Sequence, residues 1–283
     1  MITVSHLYIY PIKSLSGILL QQATLLDRGF QFDRRWMLVT PDGNALTQHR
    51  CPQMALLDVA IDRHRSMRVW HRHQPDDRLT LPLTLPQDSI TSTLKVHVWD
   101  SHNIPAVAVS HQADHWFSRT LGQDCRLVFM PDSTVRAVDP AYAHYQEAVS
   151  FADGYPFLLI GQGSLDALNE RLTEPVSMLR FRPNIVVRGS EPHAEDTWER
   201  FRIGDATFYR GESCGRCVLT TIDPLTAQKG PEPLRTLTSY RQHDHKLLFG
   251  QYVLAEPMPP TQAKPVSRWA QIRVGQPLTT LRI

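Results

Sequence analysis

Cysteine is scarce in this chain, with four in 283 residues. Four in so long a chain do not make a disulfide framework, and a reducing cytoplasm is the expected compartment. Long apolar runs are missing too. Nothing approaches the roughly 18 consecutive apolar residues of a membrane span, so no membrane association is expected. Met1 to Tyr10 carry no cationic head leading into an apolar stretch, which argues against a secretory signal. Strong charge of either sign is also lacking. Thirty Lys and Arg against 28 Asp and Glu leave a formal net charge of +2, and general nucleic-acid binding needs a marked basic excess. No internal repeat or low-complexity tract is visible.

What is present is ordinary for a soluble globular protein: 42% hydrophobic and 20% charged residues. The length allows a substantial core in one large domain or two smaller ones. Short β-prone runs separated by turn residues dominate the first 130 or so positions. Strands are predicted at Val4 to Ile9, Trp36 to Val39, Ala45 to Thr47, Leu56 to Ile61, Met67 to Trp70 and Lys95 to Trp99. Pro41-Asp42-Gly43-Asn44 reads as a hairpin turn. Further strands are predicted at Ile185 to Arg188, Ala206 to Tyr209, Val218 to Ile222 and Gln251 to Leu254. A helix fits His111 to Leu121, closed by Gly122. Another fits Ser164 as N-cap through Leu172, limited by Pro175. The polar stretch Asp132 to Gln146 is the best internal boundary, giving units 1–130 and 131–283. The expected class is mainly β with a few helices.

The most informative segment is Cys214-Gly215-Arg216-Cys217, running into Val218-Leu219-Thr220-Thr221-Ile222. A thiolate is a ligand or nucleophile only when a cation or metal lowers its pKa, and Arg216 lies between the two cysteines. Structural zinc needs four ligands, and there is no second Cys-x-x-Cys; His193, His243 and His245 follow no familiar spacing. A redox dithiol normally opens a helix, whereas this pair precedes a β-prone run. An inert buried pair is the plainest alternative. Cations recur before or after strands: Lys13-Ser14, Arg34-Arg35, Arg182 within Phe181-Arg182-Pro183-Asn184, and Arg241. Their heads suit a phosphate or planar anion, although most such residues are solvated surface charges. Asp153, in Phe151-Ala152-Asp153-Gly154-Tyr155-Pro156, either tightens a turn or serves as an acid or acceptor in a cleft.

Taken in order, Pro11-Ile12-Lys13-Ser14, Phe32-Asp33-Arg34-Arg35-Trp36, Phe151 to Pro156, Phe181 to Asn184, Cys214 to Cys217 and Phe249-Gly250-Gln251 resemble the MOSC-domain family with its N-terminal β-barrel domain. The similarity extends to bacterial reductases of N-hydroxylated bases and to the mitochondrial amidoxime-reducing component. It implies a molybdenum cofactor, a pyranopterin dithiolene, with Cys217 as the protein's metal ligand. It also implies that Lys13, Ser14 and Arg34 contact the pterin and its phosphate, with Arg182, Asn184 and Arg216 as further cofactor contacts. Asp153 matches an acidic position near the metal and joins Cys217 and Arg216 as a catalytic candidate. The implied substrates are small N-hydroxylated molecules. After Thr47 the family tends to carry a small residue and then Arg-Gln; this chain has Gln48-His49-Arg50-Cys51, which displaces Arg50 by one position. Close bacterial relatives continue into an iron–sulfur domain, but no cysteine follows Cys217. No iron–sulfur cluster is therefore expected in this chain; either electrons come from an external donor of the ferredoxin or flavin-reductase type, or the sequence stops short of such a domain. A molybdenum-cofactor or sulfur carrier without reductase activity is the alternative that the same resemblance implies.

Overall fold

Alternation of buried and exposed residues along short segments fixes most of the architecture. The computed structural model describes residues 1–62, 65–84, 93–257 and 270–281. Thr3–Ile9 buries Val4, Leu7 and Ile9, and a register shift between Val4 and His6 accommodates the odd spacing. This strand lies between Ile185–Arg188 and Ile18–Leu20 near one end of a nine-stranded sheet. The sheet continues through Phe157–Gly161, Lys246–Ala255, Ala206–Gly215 and Arg200–Ile203 to Leu278–Thr280, while Gln242–His243 pairs on Lys246–Ala255.

A second sheet orders Trp36–Val39, Arg126–Phe129, Ser101–Ala108 and Thr93–Val98. Two three-stranded sheets complete the β structure among the described residues. One joins Gln271–Arg273, Gln22–Leu26 and Gly29–Phe30; the other joins Leu57–Asp62, Ser66–His71 and Gln74–Pro82. Three α-helices occur among the described residues: His111–Leu121, Gln162–Asn169 and Leu234–Tyr240. The mainly β expectation therefore holds. The first helix runs as its capping residues predict, with Ser110 accepting from the Ala113 amide and Gly122 in the left-handed region.

Four local expectations differ from the structure. Val218 to Ile222 is not a strand: Val218–Thr221 is a 3-10 turn, in which Thr220 and Thr221 donate their hydroxyls to the carbonyls of Cys217 and Val218. Local side-chain bonds prevail there over β-propensity. Ser164 does not cap its helix, which starts at Gln162. Instead Ser164 is buried inside it, donates to Glu195 and accepts from the His193 amide at 2.8 Å. The Glu195 carboxylate takes the Gly161 amide at 3.0 Å and so supplies the cap from a distant segment. Ala45 forms only an isolated bridge to Val39. The strand expected to end at Trp99 stops at Val98, leaving Trp99 in the following turn. Phe157–Gly161 escaped sequence reading because it is buried throughout and shows no alternation.

Candidate active site

One cavity gathers residues from eight separate segments, among them Lys13, Ser14, Arg34, Trp99, Asp153, Arg182, Arg216 and Cys217. Every residue expected at the site lines it, Asn184 included. Lys13 and Ser14 sit on the turn after Thr3–Ile9, where the Lys13 amide bonds the Trp36 carbonyl. Ser14, Arg34 and Arg182 all have positive φ, at 68°, 48° and 55°. A non-glycine residue held there costs on the order of 1–3 kcal/mol, and such strain clusters at functional sites.

The strain is upheld by a buried carboxylate. Asp33, 2% exposed, accepts from the Tyr10 amide at 2.7 Å, from Arg34 at 2.6 Å and from the Asn184 amide group at 3.1 Å. Asn184 also donates to the Tyr8 carbonyl, while its oxygen takes Arg34 Nη1 at 3.0 Å and the Leu158 amide. Its hydrogen-bonding capacity is therefore spent on the scaffold. The guanidinium carbons of Arg34 and Arg182 stand 4.4 and 4.2 Å from the Tyr10 ring centroid. Gly17 keeps that ring close, since a Cβ there would come within 2.5 Å of it. Arg182 spends one amino group on the Leu15 carbonyl at 2.7 Å, and its other, buried amino group has no partner among the described residues. Burial brings its pKa down to about 10.

Across the cavity, Lys13 donates to Asp153 at 2.6 Å and to the Phe151 carbonyl at 2.8 Å. Burial lowers the pKa of Lys13, with Asp153 acting in the opposite sense. The Asp153 side chain is 57% exposed at the mouth. Desolvation pushes its pKa up, but Lys13, the Trp99 indole N–H at 2.8 Å and Arg34 together hold it well below the usual carboxylate range. Behind it, Arg136 ties down the carbonyls of Ser150, Ala152 and Asp153 and fixes the loop.

The two cysteines part company. Cys214 is fully buried in a hydrophobic cluster, and its sulfur accepts from Arg216 Nη1 at 2.8 Å. Arg216 also donates to the Phe181 carbonyl at 2.9 Å, leaving its buried Nε unpartnered among the described residues. Cys217 is exposed into the cavity. Partial burial raises its pKa, outweighing the opposing Leu219 amide and Arg216. Its sulfur lies 3.4 Å from His49 Nε2, and the His49 ring meets Trp99 edge to face. Arg50, by contrast, is exposed and outside this lining.

Tyr10, Asp33, His49, Trp99 and Arg136 were not singled out for the site from sequence. The adjacency of Asp33 to Arg34, and of Trp99 to a turn-forming Asp-Ser pair, were the available signals.

Four cations face a single acidic side chain, Asp153, around one open thiol. Such a wall suits an anionic group. Among the described residues no three His, Cys, Asp or Glu side chains are placed to share a metal ion. A metal at Cys217 would thus bring most of its own ligands. The orphaned amino group of Arg182 and the buried cations fit a phosphorylated group that does so.

The comparisons agree in extent. The family signature described as "MOSC N-terminal beta barrel domain" matches residues 1–124, and that described as "MOSC domain" matches 146–279. Mitochondrial amidoxime-reducing component 1 of Mus musculus is 34% identical, across 99% of this chain and 82% of that protein. Its Homo sapiens counterpart is 33% identical, across 90% and 79%. A molybdenum cofactor sulfurase of Oryza sativa is 30% identical over 96% of this chain, but only 35% of that protein is covered. With both signatures matched in order and relatives aligned over nearly its whole length, the chain belongs to the MOSC family.

Proposed function

We propose that this chain is a molybdenum-cofactor-dependent reductase of small N-hydroxylated molecules, such as hydroxylated bases, hydroxylamines and amidoximes. Electrons would come from a separate donor protein of the ferredoxin or flavin-reductase type, in a reducing compartment such as the cytoplasm. In this reading residues 1–130 and 131–283 are two domains that share one site. The carrying observation is Cys217, a lone cavity-facing thiol encircled by Lys13, Arg34, Arg182 and Arg216. Relatives named as amidoxime-reducing components support the reaction class.

Cys217 would hold the metal, since a soft thiolate suits a sulfur-rich centre. Lys13, Ser14, Arg34 and Arg182 would hold the pterin phosphate, with Asn184 positioning Arg34 rather than reaching the ligand. When bound, the cofactor supplies the two electrons that cleavage of an N–O bond consumes. The chain's own residues orient. Asp153, ionised and pinned by Lys13 and Trp99, accepts a hydrogen bond from substrate rather than giving a proton. Arg216 stays charged and stabilises negative charge. Protons enter from water at the open mouth.

Elemental analysis tests the reading, with wild type and Cys217→Ser purified from cells that make the cofactor. Near-stoichiometric molybdenum in wild type and its loss in the variant are expected, together with reduction of an amidoxime by the wild type with a chemical reductant. Zinc, or no metal, in the wild type would falsify the assignment. The sulfurase likeness over 96% of the chain favours a second reading, a cofactor or sulfur carrier. A fully loaded protein that reduces no N-hydroxylated compound would point there.

A further inference from the structure

Trp99 stands out from the other tryptophans of the structure. Among the described tryptophans, Trp36, Trp116 and Trp198 are buried and Trp70 is half-buried, whereas Trp99 is 49% exposed, directly on the cavity that holds Cys217. It also sits at φ 51°, where a bulky residue is an outlier. Leaving an indole half in water forgoes burial, and the positive φ adds strain. Two costs converge on one side chain.

The ring is nonetheless held in place. Its N–H donates to Asp153 Oδ1 at 2.8 Å, its edge meets His49 at a centroid separation of 5.5 Å, and the Lys13 ammonium lies 5.9 Å from its centroid. A pinned, exposed aromatic surface is preorganised to receive a flat partner. Charge narrows the class further. Lys13, Arg34, Arg182 and Arg216 disfavour a cationic ligand, although indole faces otherwise attract cations.

We infer that Trp99 is the substrate-stacking surface of the site, and that it selects neutral, planar aromatic N-hydroxylated compounds over aliphatic ones. The chemistry rests on the reductase reading; the binding preference does not. It can be read without turnover, by titration calorimetry of the molybdenum-loaded protein with no electron donor present. The probes are benzamidoxime and acetamidoxime. Wild type should bind the aryl compound roughly three- to tenfold more tightly, the range expected for one aromatic contact. Trp99→Phe keeps an aromatic face but loses the bond to Asp153, and should retain the preference. Trp99→Leu keeps apolar bulk and should lose it, at wild-type molybdenum content. Equal affinity for the two probes in wild type, or a preference surviving in Trp99→Leu, overturns the inference. Should the loaded wild type then fail to reduce either probe with a chemical reductant, the reductase reading falls while the calorimetry still decides the role of Trp99.

Discussion

Asp33 governs the cationic wall although it never faces the cavity. Its carboxylate serves the Tyr10 amide, Arg34 and Asn184 at once, and it is 2% exposed. Truncating it leaves Arg34, itself only 12% exposed, without its counter-charge. Breaking a buried pair from one side costs roughly 3–5 kcal/mol, because the remaining charge is uncompensated. Asp33→Ala should lower unfolding stability by about that amount, measured by urea titration, and lose bound molybdenum alongside. An unchanged midpoint would show that Arg34 finds another partner. At this scale the sequence made the outward-facing residues legible: Lys13, Arg34, Arg182 and Cys217 all reach one cavity. It did not reveal their supports. Arg34 and Arg35 look alike in the chain, yet Arg35 turns away to the Met130 carbonyl and Asp132. Only the three-dimensional neighbours decide which of two adjacent guanidiniums faces a ligand.

Single elements show where one-dimensional patterns mislead. The run Val218 to Ile222 has strand composition, but hydroxyl bonds to nearby carbonyls wind it into a 3-10 turn that places Cys217 at its head. Ser164 looks like a cap, yet the capping carboxylate comes from Glu195, 31 positions away. The turn Ala194–Thr197 that carries Glu195 is preceded by His193, at φ 60°. Neither ring nitrogen of His193 has a partner among the described residues. Burial, then the nearby Arg241 and Arg171 against Asp196, bring its pKa down to about 4. The unfolded chain binds a proton near pH 6.5 while the folded one resists until about 4. Stability is therefore complete above the unfolded value and is lost as pH falls through that window. Because the ring is only half-buried, the loss should be roughly 1–3 kcal/mol, below the full linkage limit. Comparing melting temperatures at pH 7 and pH 4.5 should show a smaller drop in His193→Asn, which tolerates the left-handed backbone and does not titrate. An equal drop in both proteins would assign the acid sensitivity elsewhere.

For the whole molecule, the sequence suggests a break between Asp132 and Gln146, and the two family signatures lie on either side of it. The principal sheet nevertheless crosses that line. Thr3–Ile9 pairs with Ile185–Arg188, and Val4, Leu7 and Ile9 share a cluster with Phe157, Leu159, Ile185 and Phe201. This pairing spans about 180 positions, so no local pattern could announce it. The cavity is built the same way, with Lys13, Arg34 and Trp99 from one side and Asp153, Arg182 and Cys217 from the other. A fragment of residues 131–283 would expose the Ile185–Arg188 edge and its apolar face to water, an invitation to aggregation. It should be insoluble or lack fixed tertiary packing when produced alone, and it should gain both solubility and molybdenum when residues 1–130 are co-produced. Size-exclusion chromatography with near-ultraviolet circular dichroism decides this. A monomeric, well-packed fragment would mean that the sheet closes without its N-terminal strands. The shared sheet would then be a docking contact between independent domains, and the strained residues Ser14 and Arg34 would be ordered by docking rather than by folding.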